Sequence, residues 1–408
     1  MSPDHPRLRY AVAALTDLFP GAEVGAAGAQ TDPGRTFAVA PSAARPRLLV
    51  PVEPRGAAAI AIRAYGGRLT RGARWGLSAA AGLFAVTGTA PLRTRLGVHS
   101  PGTSPVAGID DHLSRALGRP VSVAVHLTPD RANRKPVVQA LAADSSRPVA
   151  FAKVGVDELT AELVRREGAA LPTLGERLPS SVRVPTVTHM GSLAGQPVLT
   201  LEPLPTWLPG RSPQLGDVTT AARAVAATGL GVRGPLRDSA YWADIELGVR
   251  TLPSGERPRR LADCVERITD DLGDRPVTFT ASHGDWTPWN MWLTDDALLV
   301  WDWERYEPAT PAGLDLLHFR LNELYVRAPA DLPSLADRVV ADAPGVLARL
   351  GAGDADPAVS ALLYLVHIGL RYERDRQADA GAAIGHLERW LLPTVEAALA
   401  DLAPARGV

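Results

Sequence analysis

The sequence predicts an α+β protein in which a small β-rich lobe precedes a mostly helical lobe, with an additional N-terminal α/β segment ahead of both. Three observations predict it. Between residues 119 and 205, short apolar runs alternate with turn-rich stretches around a single helical segment. Beyond Gly210, apolar residues recur at helical spacing through seven long segments. One β-rich insert, residues 276–303, interrupts those helices.

Composition narrows the function classes. The chain has 408 residues, 46% of them hydrophobic and 21% charged, enough to bury cores and too little charge for a largely disordered chain. A net charge of −1 implies no overall polyanionic partner. Cys264, the single cysteine, excludes a disulfide framework or a cysteine-built metal site and reads as a small buried hydrophobe. The opening MSPDHPRLRYAV lacks an apolar signal core, so a cytoplasmic address is expected. The 43 basic residues comprise 41 Arg and only two Lys, Lys135 and Lys153. A lysine kept against such a bias is expected where arginine cannot replace it.

In chain order, residues 1–115 carry helix-like runs (Leu8–Phe19, Ala57–Tyr65, Trp75–Val86) around a strand-like run at 45–52, with no role legible. The stretch from Trp75 to Leu92 is too short and too diluted by Gly, Ser and Thr for a membrane span. Residues 116–205 form the expected β-rich lobe, with strands VSVAVHL, PVVQALA and PVAFAKV, a helix from Glu158 to Leu174 capped by Asp157, and the strand pair VPTVTHMG and QPVLTLEPL. Pro203, Pro205 and Pro209 break the chain there. Residues 206–408 form the helical lobe, with helices expected at 217–228, 239–249, 261–272, 313–326, 332–350, 358–379 and 384–399.

The insert carries the chemistry. A strand at 277–281 runs into His283-Gly284-Asp285, then to Asn290, and a hairpin turning at Thr294-Asp295-Asp296 ends on Asp302. Polar side chains just past the ends of apolar strands are held rigidly at a surface. Asp285, Asn290 and Asp302 make an all-oxygen set that suits Mg²⁺ and poorly suits zinc or copper. Asp-x₄-Asn is also the spacing of the kinase catalytic loop, where the Asp receives a hydroxyl proton and the Asn holds metal. Asp295 and Asp296 read as ordinary turn residues.

Upstream, Lys153 is the last polar residue of the strand PVAFAKV. Glu167 falls inside the apolar stripe of Leu159, Leu163, Leu171 and Leu174 on the following helix. A carboxylate facing a core needs a cation. Lys153 on the adjacent strand is the candidate, and the pair would orient an ammonium towards nucleotide phosphates. Lys135 is expected in an exposed turn.

The segments HGDWTPWN (283–290), VWDWE (300–304), FAK (151–153), EGAALPTL (167–174) and LEPLP (201–205) resemble the aminoglycoside phosphotransferase/choline kinase-like family of small-molecule kinases. The resemblance covers roughly residues 119–390 and implies a bilobal protein-kinase-like fold, ATP, Mg²⁺ and phosphoryl transfer to the hydroxyl of a small molecule. Carried across, Asp285 matches the catalytic base, Asn290 and Asp302 the metal ligands, and Lys153 with Glu167 the phosphate-positioning pair. His283 matches the structural histidine of the loop and Asp315 an acid that supports the loop from a helix start. Residues 201–204, with Glu202 and Leu204, match the hinge where backbone groups meet adenine. The turn Thr128–Lys135, where a glycine-rich phosphate loop belongs, contains no glycine.

Two other readings stand beside this one: a catalytically weak nucleotide-binding regulator, favoured by the glycine-free turn, and a metal-dependent phosphoesterase, for which the histidines are too scattered. Trp286, Trp289, Trp292, Trp301 and Trp303 are expected to pack the hairpin and line a substrate mouth. No basic–aromatic interleaving supports nucleic-acid binding. From residue 306 onward, 14 acids against nine Arg give −5, so a cationic acceptor is one option alongside sugars and polyols.

Overall fold

Alternating apolar residues between 36 and 201 sort into two clusters, and the alternation makes both clusters faces of one sheet. The computed structural model describes residues 8–28, 35–65, 81–102, 106–127, 135–351 and 355–402. The chain divides into two compact units: a first running to Gly210, less the segment 176–183, and a second made of that segment and residues 211 onward.

In the first unit the strands are β1 (Glu23–Ala26), β2 (Thr36–Ser42), β3 (Arg45–Pro51), β4 (Arg95–His99), β5 (Val121–His126), β6 (Val137–Ala142) and β7 (Pro148–Val154). After β8 (Val182–Arg183), which belongs to the second unit, come β9 (Val187–Leu193) and β10 (Gln196–Leu201). Nine of these join in the order β1-β4-β2-β3-β5-β6-β7-β10-β9. Helices α1 (Arg9–Leu18) and α3 (Ile109–Leu117) cover one face through Leu15, Leu18, Ile109 and Leu113, packed on Val39, Leu49, Val123 and Val138. Helix α2 (Arg55–Tyr65) covers the other, through Ala57, Ala58 and Ala61 on Ala38, Val50 and Ala124.

The sheet runs through the 115/116 boundary drawn from composition, because β3 pairs with β5, Leu48 opposite His126 and Leu49 opposite Val125. That pairing satisfies backbone groups that would otherwise lie open along two strand edges. The sequence reading also missed β1 and β4, which are only four and five residues long, and helix α3, although Ile109, His112 and Leu113 fall on one buried face of it. Of the expected helix 75–86, residues 75–80 lie outside the described residues, and the rest belongs to a helix over 81–87. Helix α4 (Glu158–Arg177) starts where Asp157 was expected to cap it, its Oδ1 accepting from the Thr160 N–H at 2.7 Å.

The second unit is mostly helical: α5 (Leu215–Ala226), α6 (Ala240–Arg250), α7 (Glu256–Leu272), α8 (Leu314–Arg327), α9 (Leu335–Leu350), α10 (Pro357–Arg374) and α11 (Leu391–Leu402). Its core helix is α10, apolar almost all round and buried from Val359 to Val366, as such a pattern requires. The helix expected over 358–379 stops at Arg374. The one expected over 384–399 begins only at Leu391, after two 3₁₀ turns. Two small sheets complete the unit. One joins β11 (Val232–Pro235), β12 (Pro276–Ser282) and β15 (Glu307–Pro311); the other joins β8 to the hairpin of β13 (Met291–Leu293) and β14 (Leu298–Val300). Among the described residues no helix is long and apolar enough to cross a membrane.

Candidate active site

In the first unit, β7 places Lys153 between Val137 of β6 and Leu199 of β10. Its neighbours Ala152 and Val154 fill the α1–α3 face, so the lysine stands on the opposite one. Its ammonium donates to both oxygens of Glu167 on α4, at 2.7 and 2.5 Å, and both side chains are buried. The pair read from the helical stripe is therefore formed. Lys135 corrects the expectation of an exposed turn, being 8% exposed where it leads into β6. The rest of the glycine-free turn, residues 128–134, lies outside the described residues. At the end of β10, the Glu202 N–H donates to the Thr186 carbonyl at 2.8 Å, and the Leu204 carbonyl accepts from the Thr206 N–H at 2.7 Å.

In the second unit, β12 delivers His283, Gly284 and Asp285. Gly284 has φ +79°, and a Cβ there would collide with the Arg305 carbonyl, so this position requires glycine. Asp315, in the first turn of α8, accepts from the His283 N–H at 2.8 Å and the Gly284 N–H at 3.0 Å. Burial, reinforced by the charge of Asp285, pushes its carboxyl up to about 7 against the pull of these two bonds.

His283 is a brace by its hydrogen bonds. Its Nδ1 accepts from the Asp285 N–H at 3.1 Å, which leaves Nε2 to donate to the Trp301 carbonyl at 3.1 Å. Burial pushes its pKa down to about 4, against the charges of Asp285 and Asp302, so the ring is neutral at pH 7. Trp286 and Trp303 pack against it with centroids 5.5 and 4.4 Å away. With Trp292 they are buried core residues, not lining of a substrate mouth; Trp289 and Trp301 are half-buried.

The hairpin register brings the two expected metal ligands onto neighbouring backbone. Met291 pairs with Val300, and the Trp301 N–H donates to the Asn290 carbonyl at 3.1 Å. Asp302 follows in the left-handed region, φ 65° and ψ 52°, which Asp tolerates better than most residues. The Asn290 amide nitrogen donates to Asp285 Oδ2 at 2.8 Å, so its carbonyl oxygen is the atom suited to a hard cation. One carboxylate and one amide oxygen fit Mg²⁺, which commonly takes one or two protein oxygens and completes its shell with phosphates and water. Among the described residues no three His, Cys, Asp or Glu side chains are grouped to hold a metal by themselves.

Asp285 has partners that the sequence reading missed. Its Oδ1 accepts from Arg371 Nη2 of α10 at 2.9 Å and from His318 Nε2 of α8 at 3.2 Å, and Arg371 Nη1 also holds the Gly284 carbonyl at 2.7 Å. Burial works against its charge, but Arg371 and His318 more than offset this and hold the carboxyl well below the usual carboxylate range. Tyr364 Oη contacts His318 Nδ1 at 2.9 Å. Behind Arg371, Asp375 binds Arg305 at 2.6 Å. A signal existed in the sequence: His318 interrupts an apolar run three residues after Asp315, and Tyr364 and Arg371 lie seven apart on an otherwise apolar helix.

No protein-family model matches this chain, and no curated protein sequence matches it. Solved structures do. A protein from Thermobifida fusca described as a candidate fructosamine-3-kinase is 21% identical, the match covering 72% of this chain and 98% of that one with a TM-score of 0.42. A type I macrolide 2'-phosphotransferase is 16% identical over 74% of this chain and 100% of that one, with a TM-score of 0.42. A thermostable mutant of an aminoglycoside phosphotransferase is 14% identical over 72% and 100%, with a TM-score of 0.44. The structural neighbours of this chain are fructosamine-3-kinase-like proteins and aminoglycoside or macrolide phosphotransferases, all at low sequence identity.

Proposed function

We propose that this protein is an ATP- and Mg²⁺-dependent phosphotransferase that moves the γ-phosphoryl group of ATP to a hydroxyl of a small molecule, such as an aminoglycoside, an amino alcohol or a sugar-like polyol. The observation that carries the proposal is the frame around Asp285: an ionised, partly exposed carboxylate tied to Asn290, next to a hairpin ending on Asp302. The acceptor oxygen attacks the γ-phosphorus, the bond to the β-phosphate oxygen breaks, and the hydroxyl proton passes to Asp285. A carboxylate this acidic is a weak base. A loose transition state demands little more, since the hydroxyl loses its proton late and orientation dominates.

Asn290 and Asp302 would hold Mg²⁺, which when bound neutralises charge on the phosphates. Lys153, held by Glu167, would supply a fixed positive charge to phosphate oxygens. The Glu202 carbonyl and Leu204 N–H, of opposite polarity to the two hinge groups already bonded, are assigned to the adenine edge. The test is phosphate transfer from ATP across a panel of aminoglycosides, amino alcohols and sugars. Asp285→Asn should cut transfer by roughly 10²- to 10⁴-fold with nucleotide binding retained. Nucleotide binding with no transfer to any acceptor would favour the regulatory reading instead.

A further inference from the structure

An ionised carboxylate offers about four lone-pair sites, two on each oxygen. On Asp285 three are taken. Oδ1 accepts from Arg371 and His318, which fills it, and Oδ2 accepts from the Asn290 amide. The carboxylate is 21% exposed, so it can be reached from solvent. One site, on Oδ2, is left for a hydroxyl.

The donor at His318 depends on its tautomer. A carboxylate paired with a guanidinium only accepts, so His318 Nε2 carries the hydrogen; burial holds the ring below its ordinary pKa and so neutral at pH 7, which leaves Nδ1 to accept. The group facing Nδ1 is the Tyr364 hydroxyl, 1% exposed, and burial holds its pKa well above 10, so it stays protonated and can donate. The histidine backbone is fixed too, since Asn322 Nδ2 donates to the His318 carbonyl at 2.8 Å. Arg371 is fixed by its bond to the Gly284 carbonyl, and Asp375, 2% exposed and bonded to Arg305, lies behind it as an ion pair at 3.9 Å. Each donor to Oδ1 therefore has a second partner: a hydrogen bond from Tyr364 at His318, and the Gly284 carbonyl at Arg371.

We propose that His318, its tautomer set by Tyr364, and Arg371 are positioning residues that saturate Oδ1 of Asp285, so that the acceptor hydroxyl can donate only to Oδ2. The inference rests on the phosphotransfer reading and adds which oxygen reacts and what selects it. Without His318, Oδ1 gains an open lone pair, and a hydroxyl bound there is displaced by about the spacing of the two carboxylate oxygens. Displacements of about 1 Å cost about 10²-fold in rate.

The test uses the full chain with MgATP, water first serving as acceptor and released inorganic phosphate being measured, then any acceptor found in the panel. His318→Phe should lower kcat by tenfold to a hundredfold and leave KM for MgATP within about twofold. His318→Gln, which keeps an N–H donor, should recover most of the loss; Tyr364→Phe should give a smaller loss of the same kind. Nitrogen-15 spectra of the histidine rings give a readout independent of turnover. One ring, identified by its disappearance in His318→Gln, should be the Nε2–H tautomer and should shift in Tyr364→Phe. Wild-type transfer with His318→Phe within twofold in kcat overturns the positioning role alone, as does an Nδ1–H tautomer. Absence of transfer by a wild type that shows the Nε2–H tautomer overturns the phosphotransfer reading and leaves the hydrogen-bond frame standing.

Discussion

Lys153→Met tests the buried ion pair of the first unit. The Lys153 side chain is 7% exposed and that of Glu167 is 0% exposed, and both carboxylate oxygens face the ammonium. Removing the cation leaves a carboxylate charged inside a helix–sheet contact, a loss of about 3–5 kcal/mol. That is a fifth or more of the roughly 5–15 kcal/mol a folded protein commonly has. Replacing both partners, Lys153→Met with Glu167→Leu, removes the charge with its counterion, and such exchanges are often neutral or stabilising by about 1–4 kcal/mol. The double variant should therefore be more stable than Lys153→Met alone. Amide hydrogen exchange of β7 and β10 reads the opening free energy of the strands concerned without assuming that both units unfold together. Acidification should shrink the deficit of Lys153→Met, because the carboxylate stranded there can take a proton. The double variant should fold and still lose MgATP affinity, separating the structural role of the pair from its proposed phosphate role. A Lys153→Met protein within 1 kcal/mol of wild type, or a double variant less stable than that single one, would refute the reasoning.

Two further outcomes are expected. Asp302→Ala should abolish Mg²⁺-dependent tightening of ATP binding in calorimetry, and unchanged MgATP affinity would remove Asp302 from the metal site. Burial, aided by the charge of Arg371, pushes the pKa of His367 down to about 3, and its ring stacks on Tyr241 with centroids 5.9 Å apart. A histidine kept neutral by the fold contributes stability that is complete above its unfolded pKa of about 6.5 and is lost as pH falls towards the folded value. His367→Phe keeps the stacking and removes the titration, so its melting temperature should fall less than that of wild type between pH 6.5 and 4.5. An identical acid slope in the two proteins would show that His367 does not titrate as described. His283 acts in the same direction, and Asp315, with its carboxyl pushed up to about 7, acts in the opposite one, which is why the single substitution is compared with wild type.

What the sequence alone determined was local or periodic. The strand carrying Lys153, the strand that runs into the Asp285 loop, the cap at Asp157 and the inward face of Glu167 follow from alternation, helical spacing and short-range hydrogen bonding, each legible within a short stretch of chain. The loop 283–290 and the hairpin after it were legible for the same reason, since their glycine, carboxylates and amide are fixed by local turns. Tertiary structure decided the rest. Continuity of the sheet from β3 into β5 depends on pairing strands more than 70 residues apart, and the strands at its far edge, four and five residues long, are too short for alternation to announce it. The partners of Asp285 come from 33 and 86 residues downstream. A histidine or an arginine on an apolar helix can face outward, pack along its stem or meet a charge, and only the docking of α8 and α10 against the loop that follows β12 selects the last. The ionised state of Asp285 belongs to that second class: its residue type is local information, but its acidity comes from a guanidinium that folding brings to it.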